Sequence, residues 1–263
     1  MAKPTLLFVP GAWHSPSHYE ALMKVLEKHG YQCEAVSLPS VDPKDPPNTD
    51  CNTDVSAISD AIRNVLASGN NVVLITHSYS GIPGHSAAYS FIGQNEDGPR
   101  LTSIAMMCSF LYPPQTALMA PTGGQPHPIH VVSADGNLVD VGGPGPEILF
   151  YNDVPAVEAA RCAAMIKSHS WRSKTLPPSA EGAGWWEIPT SYLICEKDNA
   201  IPADLQRKMV ADANEALSQR GSTLKIREET VDSGHSPFLS VTEQTADFIR
   251  RSAGEQVPFK GRM

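Results

Sequence analysis

A length of 263 residues suits one domain with an insertion, and a formal charge of −8, from 28 acidic and 20 basic residues, leaves no basic stripe to neutralise phosphates. Nucleic acid is therefore excluded as an expected partner. Hydrophobic residues (41%) and charged residues (18%) stand in a globular balance, and no apolar run approaches the length of a membrane span.

Strand-like sequence begins almost at once, with no basic segment leading into an apolar stretch, so no signal peptide is read and a cytoplasmic location is expected. Residues 6–9 form a short apolar run ending at Pro10-Gly11, the profile of a buried strand. Ser17 is placed to cap a helix reaching about His29, with Leu22, Val25 and Leu26 on one face and Gly30 as its stop. Residues 33–38 read as a second strand, and residues 39–53, with Pro39, Pro43, Pro46 and Pro47, as a loop. Asp54 is expected to open a helix to about Ser68, since Val55, Ile58, Ile62, Val65 and Leu66 recur at helical spacing. The run 72–76 is a buried strand, a helix starts just after Ser78 and runs toward Ile92, and 102–108 is another strand.

That alternation fails between about Tyr112 and Glu187, where Pro113-Pro114, Gly123-Gly124, Gly142-Gly143-Pro144-Gly145 and Pro177-Pro178 interrupt the pattern around one helical segment near 156–168. A stretch so long without regular pattern is usually functional or a small subdomain. We read 112–187 as an inserted cap or lid, and residues 1–111 and 188–263 as the core. Alternation resumes with a strand at 190–195, a helix at 203–219, a strand at 224–230 and a helix at 241–251. The expected fold is α/β: a mostly parallel sheet of roughly six strands, with helices on both faces.

Five dispersed cysteines (Cys33, Cys51, Cys108, Cys162 and Cys195) contain no C-x-x-C pair, which points to reduced thiols rather than to zinc or a disulfide framework. His14 and His18 are four apart, but Pro16 lies between them and no third ligand is evident, so no metal is expected. The Gly142 to Gly145 cluster has no strand leading into it and is not a dinucleotide fingerprint.

The chemistry-bearing pattern is VVLITHSYSG, which sets Ser78 between a buried strand and a helix. A nucleophilic serine needs a sharp strand-to-helix turn, which crowds the positions two before and two after it, usually glycines. Here they are Thr76 and Ser80, followed by Gly81, so Thr76 must fit where a β-branched residue is unusual. A serine needs a base, and His235 follows the last strand in VDSGH. The imidazole in turn needs a carboxylate to fix its tautomer, and Asp198 lies just past the 190–195 strand in CEKDNAIP, with Glu196 as its rival. Strand C-termini share one edge of a parallel sheet, so the three can converge there. The amides of Tyr79 and Ala12 are the candidate oxyanion donors, the latter in the Pro10-Gly11-Ala12-Trp13 turn.

These four segments (LLFVPGAWH, THSYSG, ICEKDNAIP and SGHSPF) resemble the α/β-hydrolase superfamily, and more narrowly the branch of methyl-ester esterases and hydroxynitrile lyases with related small bacterial and fungal esterases. The resemblance implies a six-stranded sheet, a cap over the site and the roles given above to Ser78, Asp198, His235, Ala12 and Tyr79. Two departures stand out: Pro10-Gly11 where members commonly carry His-Gly, and Thr76 where glycine is common. The lyases of this branch carry a threonine before the oxyanion-loop residue and a lysine after the histidine. Gly11 and Ser236 occupy those positions here and favour the esterase.

The expected activity is hydrolysis of a carboxylic ester or lactone of a small, largely apolar substrate through an acyl-enzyme, with no cofactor. The alternatives are a lyase or cyclase using His235 as base on the same scaffold, and a non-catalytic ligand-binding receptor. Trp13, His14, Trp171, Trp186 and Phe238 are the candidate substrate-binding residues. The cap aromatics with Met119, Phe150 and Met165 are read equally well as pocket walls or as the cap's own core. His77 is assigned a packing or hydrogen-bonding role. The sequence leaves oligomeric state open.

Overall fold

Alternate residues of the central strands enter opposite cores. Leu6 and Phe8 join Val73 and Ile75 on one side, while Leu7 and Val9 join Val72 and Leu74 on the other. This period of two follows from side chains alternating across a pleated sheet, and burial on both faces explains why the strands read as continuous apolar runs. The computed structural model describes residues 2–95 and 97–258. In chain order it begins with β1 (Thr5–Val9), a 3-10 turn at Pro16–Tyr19, α1 (Glu20–Lys28) and β2 (Cys33–Ala35). Then follow α2 (Cys51–Ala67), β3 (Val72–His77), α3 (Gly81–Tyr89) and β4 (Leu101–Met107). The insertion supplies β5 (His130–Val132), β6 (Leu138–Val141), α4 (Pro146–Phe150), α5 (Ala156–Ala163), β7 (His169–Ser170) and α6 (Arg172–Thr175). The chain closes with β8 (Thr190–Cys195), α7 (Ala203–Gln219), β9 (Arg227–Val231), α8 (Pro237–Ser240) and α9 (Thr242–Ser252).

The main sheet has six strands in the order β2-β1-β3-β4-β8-β9, every neighbouring pair parallel. Helices α1 and α9 cover one face through Leu22, Leu26, Phe248 and Ile249. Helices α2, α3 and α7 cover the other through Ile58, Ile62, Ile82, Met209 and Val210. Because β4 pairs directly with β8, residues 112–187 leave the sheet and return to the adjacent position. They build a second, antiparallel sheet, β5-β6-β7.

Several boundaries differ from the sequence reading. Helix α2 starts at Cys51 rather than Asp54, because Asp50 caps it, accepting from Asn52 N (2.8 Å) and Thr53 N (3.3 Å). Asp54 lies inside the helix and is buried. Helix α5 ends at Ala163 instead of running to 168, and Lys167 N then donates to Trp13 O (3.0 Å), tying the insertion to the turn after β1. Strand β2 is shorter than 33–38, and β9 starts at Arg227 rather than 224. All five cysteines are free thiols. Among the described residues, no helix is long and apolar enough to cross a membrane.

Candidate active site

Ser78 follows β3 at φ +57°, a left-handed conformation rare for a residue with a Cβ. The strained turn is held from three sides. Ser78 O accepts from Phe110 N and from Ser109 Oγ, both at 2.9 Å, and Ser80 Oγ accepts from His77 N (2.9 Å) while donating to Val9 O (2.7 Å). Gly81 permits the close approach, since a Cβ there would fall 2.1 Å from Phe110 O. Thr76 fits because α3 places Gly84 against it: a Cβ on Gly84 would lie 2.6 Å from Thr76 Cγ2.

His235 follows β9, and its Nδ1–H donates to Asp198 Oδ2 at 2.8 Å, with both side chains buried. The carboxylate is itself fixed. Oδ1 accepts from Ala200 N and Ile201 N at 2.8 Å each, and Oδ2 also accepts from Gln206 Nε2 at 3.0 Å. The rival Glu196 is exposed and pairs with Arg207. The histidine loop is anchored one residue earlier, where Gly234 N donates to Asp153 Oδ2 at 2.7 Å.

A chain of hydrogen bonds joins the turn after β1, the elbow and the histidine loop. His77 Nε2–H donates to His235 O (2.8 Å), so its Nδ1 accepts from the Tyr19 hydroxyl (2.7 Å), whose oxygen accepts from Gly11 N (3.4 Å). Gly11 packs against the elbow so closely that a Cβ there would lie 3.0 Å from Ser78 Cβ. Burial, reinforced by the neighbouring His235 and His14, drives the His77 pKa well below the ordinary range, which keeps this ring neutral and its two roles distinct. His77, Cys108 and His235 lie close enough to suggest a metal cage. Most of their ligand atoms are engaged, however: both nitrogens of His77 as above, His235 Nδ1 by Asp198, and the Cys108 thiol by His235 O (3.3 Å), which leaves only His235 Nε2.

Ser78 opens into a cavity of about 290 Å³ whose wall also includes Ala12, Trp13, Tyr79, Phe150 and Lys174. The His235 ring lies 5.5 Å from that of Phe150. The Ala12 N–H donates to no protein acceptor among the described residues, and Tyr79 N–H stands in the first turn of a helical segment, where no intrahelical partner exists.

The sequence profile described as "Alpha/beta hydrolase family" matches residues 6–248. The chain belongs to the alpha/beta hydrolase family. It is 30% identical to an alpha/beta hydrolase, nvfD, of Aspergillus novofumigatus, over 98% of this chain and 99% of that protein. Its fold is similar to that of a pyrethroid hydrolase from Sphingobium faniae (TM-score 0.74, 19% identity, 96% of this chain and 98% of the other). It is also similar to that of the methylesterase MES16 from Arabidopsis (TM-score 0.71, 17% identity, 95% and 99%).

Within this family member, the five expected substrate-binding residues fall in different places. Trp13 lines the cavity. His14 does not: it is buried, its Nδ1–H donating to Ala12 O (2.7 Å) and its Nε2 accepting from Tyr151 (2.9 Å), so it braces the turn after β1 against Tyr151. Phe238 is wholly buried and stacked on Tyr19, behind His77. Trp171 sits one ring behind the wall, 5.5 Å from His130, which does line the cavity. Trp186 faces a separate depression and stacks under Arg220 at 3.6 Å. Of the other insertion residues weighed for this role, Met119 and Phe150 are walls. Sequence reasoning missed Lys174, Tyr19 and Asp153. Lys174 lies in a short polar segment, RSKT, with no periodicity to mark it.

Proposed function

We propose that the protein is a serine hydrolase that cleaves a carboxylic ester or lactone of a small, largely apolar substrate through an acyl-enzyme. The observations that carry this reading are the buried 2.8 Å His235–Asp198 hydrogen bond and a serine held in a strained strand-to-helix turn at the wall of a cavity. Asp198 holds the proton on Nδ1, which leaves His235 Nε2 as the base. In the proposed sequence, Nε2 takes the Ser78 proton as Oγ attacks the carbonyl, and Ala12 N–H and Tyr79 N–H receive the oxyanion. His235 then protonates the leaving oxygen, activates water against the acyl-enzyme and returns the proton to Ser78. Residues 112–187 act as the cap, since Met119, Phe150 and Lys174 of this stretch wall the cavity.

Membership of a hydrolase family supports the reading. So do relatives and fold neighbours named as an alpha/beta hydrolase, a pyrethroid hydrolase and a methylesterase. The test is hydrolysis of p-nitrophenyl acetate and longer esters by wild type and Ser78→Ala, with organophosphonate labelling of Ser78 and product analysis. Full activity in Ser78→Ala defeats the assignment. A labelled serine with products lacking added water favours a lyase or cyclase instead.

A further inference from the structure

Lys174 of α6 is 1% exposed, yet its ammonium donates no hydrogen bond to protein among the described residues. Its Nζ lies 3.9 Å from the centroid of the Trp13 ring and 5.5 Å from that of Tyr79. Both rings line the cavity, as does Lys174 itself. Trp13 directly follows Ala12, and Tyr79 itself carries the other proposed donor, so the cation stands beside side chains at or next to both proposed oxyanion donors.

No aspartate or glutamate lines this cavity among the described residues. The acid that faces Lys174 is Asp54 of α2, behind Tyr79, and its oxygens are taken by the Tyr79 hydroxyl (2.7 Å) and Ser40 N (3.0 Å). His130 of β5 and His169 of β7 face it too, and both are held neutral, first by burial and then by the Lys174 charge itself. An aromatic face attracts a cation, but a buried ammonium without a hydrogen-bonded anion has lost most of its hydration. What the site lacks is an anion hydrogen-bonded to Nζ, and Lys174 lines the cavity that would bring one.

We propose that Lys174 is the subsite for an anionic oxygen of the substrate, so that the preferred ester or lactone carries a carboxylate or an acidic enol a short distance from its scissile carbonyl. Such a group forms a charge-assisted hydrogen bond in a site shielded from water, where discrimination against a neutral analogue is large. Burial pushes the Lys174 ammonium down to about 7, so near neutral pH an arriving anion draws a proton onto a partly deprotonated lysine. The inference deepens the hydrolase reading, and only its kinetic arm rests on that reading.

Binding is measured by calorimetry with Ser78→Ala protein, using monomethyl glutarate and its neutral match methyl pentanoate. The expected result is an affinity at least about tenfold higher for the acid, with proton uptake revealed by buffers of different ionisation enthalpy. Adding Lys174→Met should abolish both the preference and the proton uptake, and Lys174→Arg should keep part of the preference without the uptake. Melting curves check that each variant is folded. A 4-hydroxy-2-pyrone bound in preference to monomethyl glutarate identifies the acidic enol as the natural group, and the reverse order identifies the carboxylate. In the kinetic arm, mono-p-nitrophenyl glutarate should exceed p-nitrophenyl pentanoate in kcat/KM by about tenfold, a ratio lost in Lys174→Met. Equal binding of acid and neutral ester, or a preference that survives Lys174→Met, overturns the subsite. Lys174-dependent binding without turnover of any ester leaves the subsite standing and defeats the hydrolase reading.

Discussion

Thr76 and Gly84 are complementary: the methyl of one occupies the space that a Cβ on the other would need, 2.6 Å away. A small residue in front of the nucleophile is usually what lets the following helix approach the strand. Here the small residue is on the helix, so the same closeness is reached from the opposite partner.

Gly84→Ala should therefore overpack this contact and lower stability by about 1–3 kcal/mol, with ester turnover falling as the elbow shifts. Combining it with Thr76→Gly should recover most of the loss, because the added methyl then meets open space. Urea unfolding of the two single variants and the double variant measures the coupling. Additive losses would show that the two positions are not complementary.

Asp198→Asn keeps the size of the side chain but removes the acceptor that fixes the His235 tautomer. Turnover of a neutral ester should fall roughly a thousand- to ten-thousand-fold while the fold persists. Rates with a p-nitrophenyl ester, compared with near-UV circular dichroism, check this. A loss below about tenfold would assign the carboxylate role elsewhere.

Asp153 secures the histidine loop through Gly234 N, and the loop packs closely there, since a Cβ on Gly234 would fall 2.1 Å from Asn152 Oδ1. Asp153→Ala should cost about 1.5–3 kcal/mol, the scale of a hydrogen bond to a charged group. Turnover should drop with it, because His235 is the next residue. Hydrogen exchange at the Gly234 amide, accelerated in Asp153→Ala, is the direct measurement.

Lys174 also has a stability signature with a definite sign. Burial lowers its pKa from the ordinary 10.5 to about 7, so between those values the unfolded chain binds more protons than the native protein. Stability attributable to this residue rises with pH across that window, and below about 7 the full cost of a buried cation is present. Lys174→Met should be more stable than wild type by roughly 2–4 kcal/mol near pH 7, with the gap closing toward pH 10.5. Denaturant midpoints at several pH values check it. A variant less stable than wild type throughout would mean that the ammonium contributes net packing.

The sequence alone determined the alternating core and the places where its chain segments turn. Apolar runs such as 72–76 must be buried on both faces, a demand local enough to read from residue order. The same logic placed Ser78, Asp198 and His235 after strand ends on one edge of the sheet. It missed the start of α2, where the Asp50 cap outweighs the hydrophobic period, and the end of α5, where Lys167 turns to pair with Trp13. The cavity wall was decided by tertiary structure. Residues as far apart as Trp13, Ser78, Phe150 and Lys174 share it only after the insertion has folded back, and nothing in the RSKT segment marks its lysine for burial. Periodicity records which side of an element is apolar. Which side chains face each other across a cavity depends on long-range closure of the chain, and short-range pattern carries no trace of that.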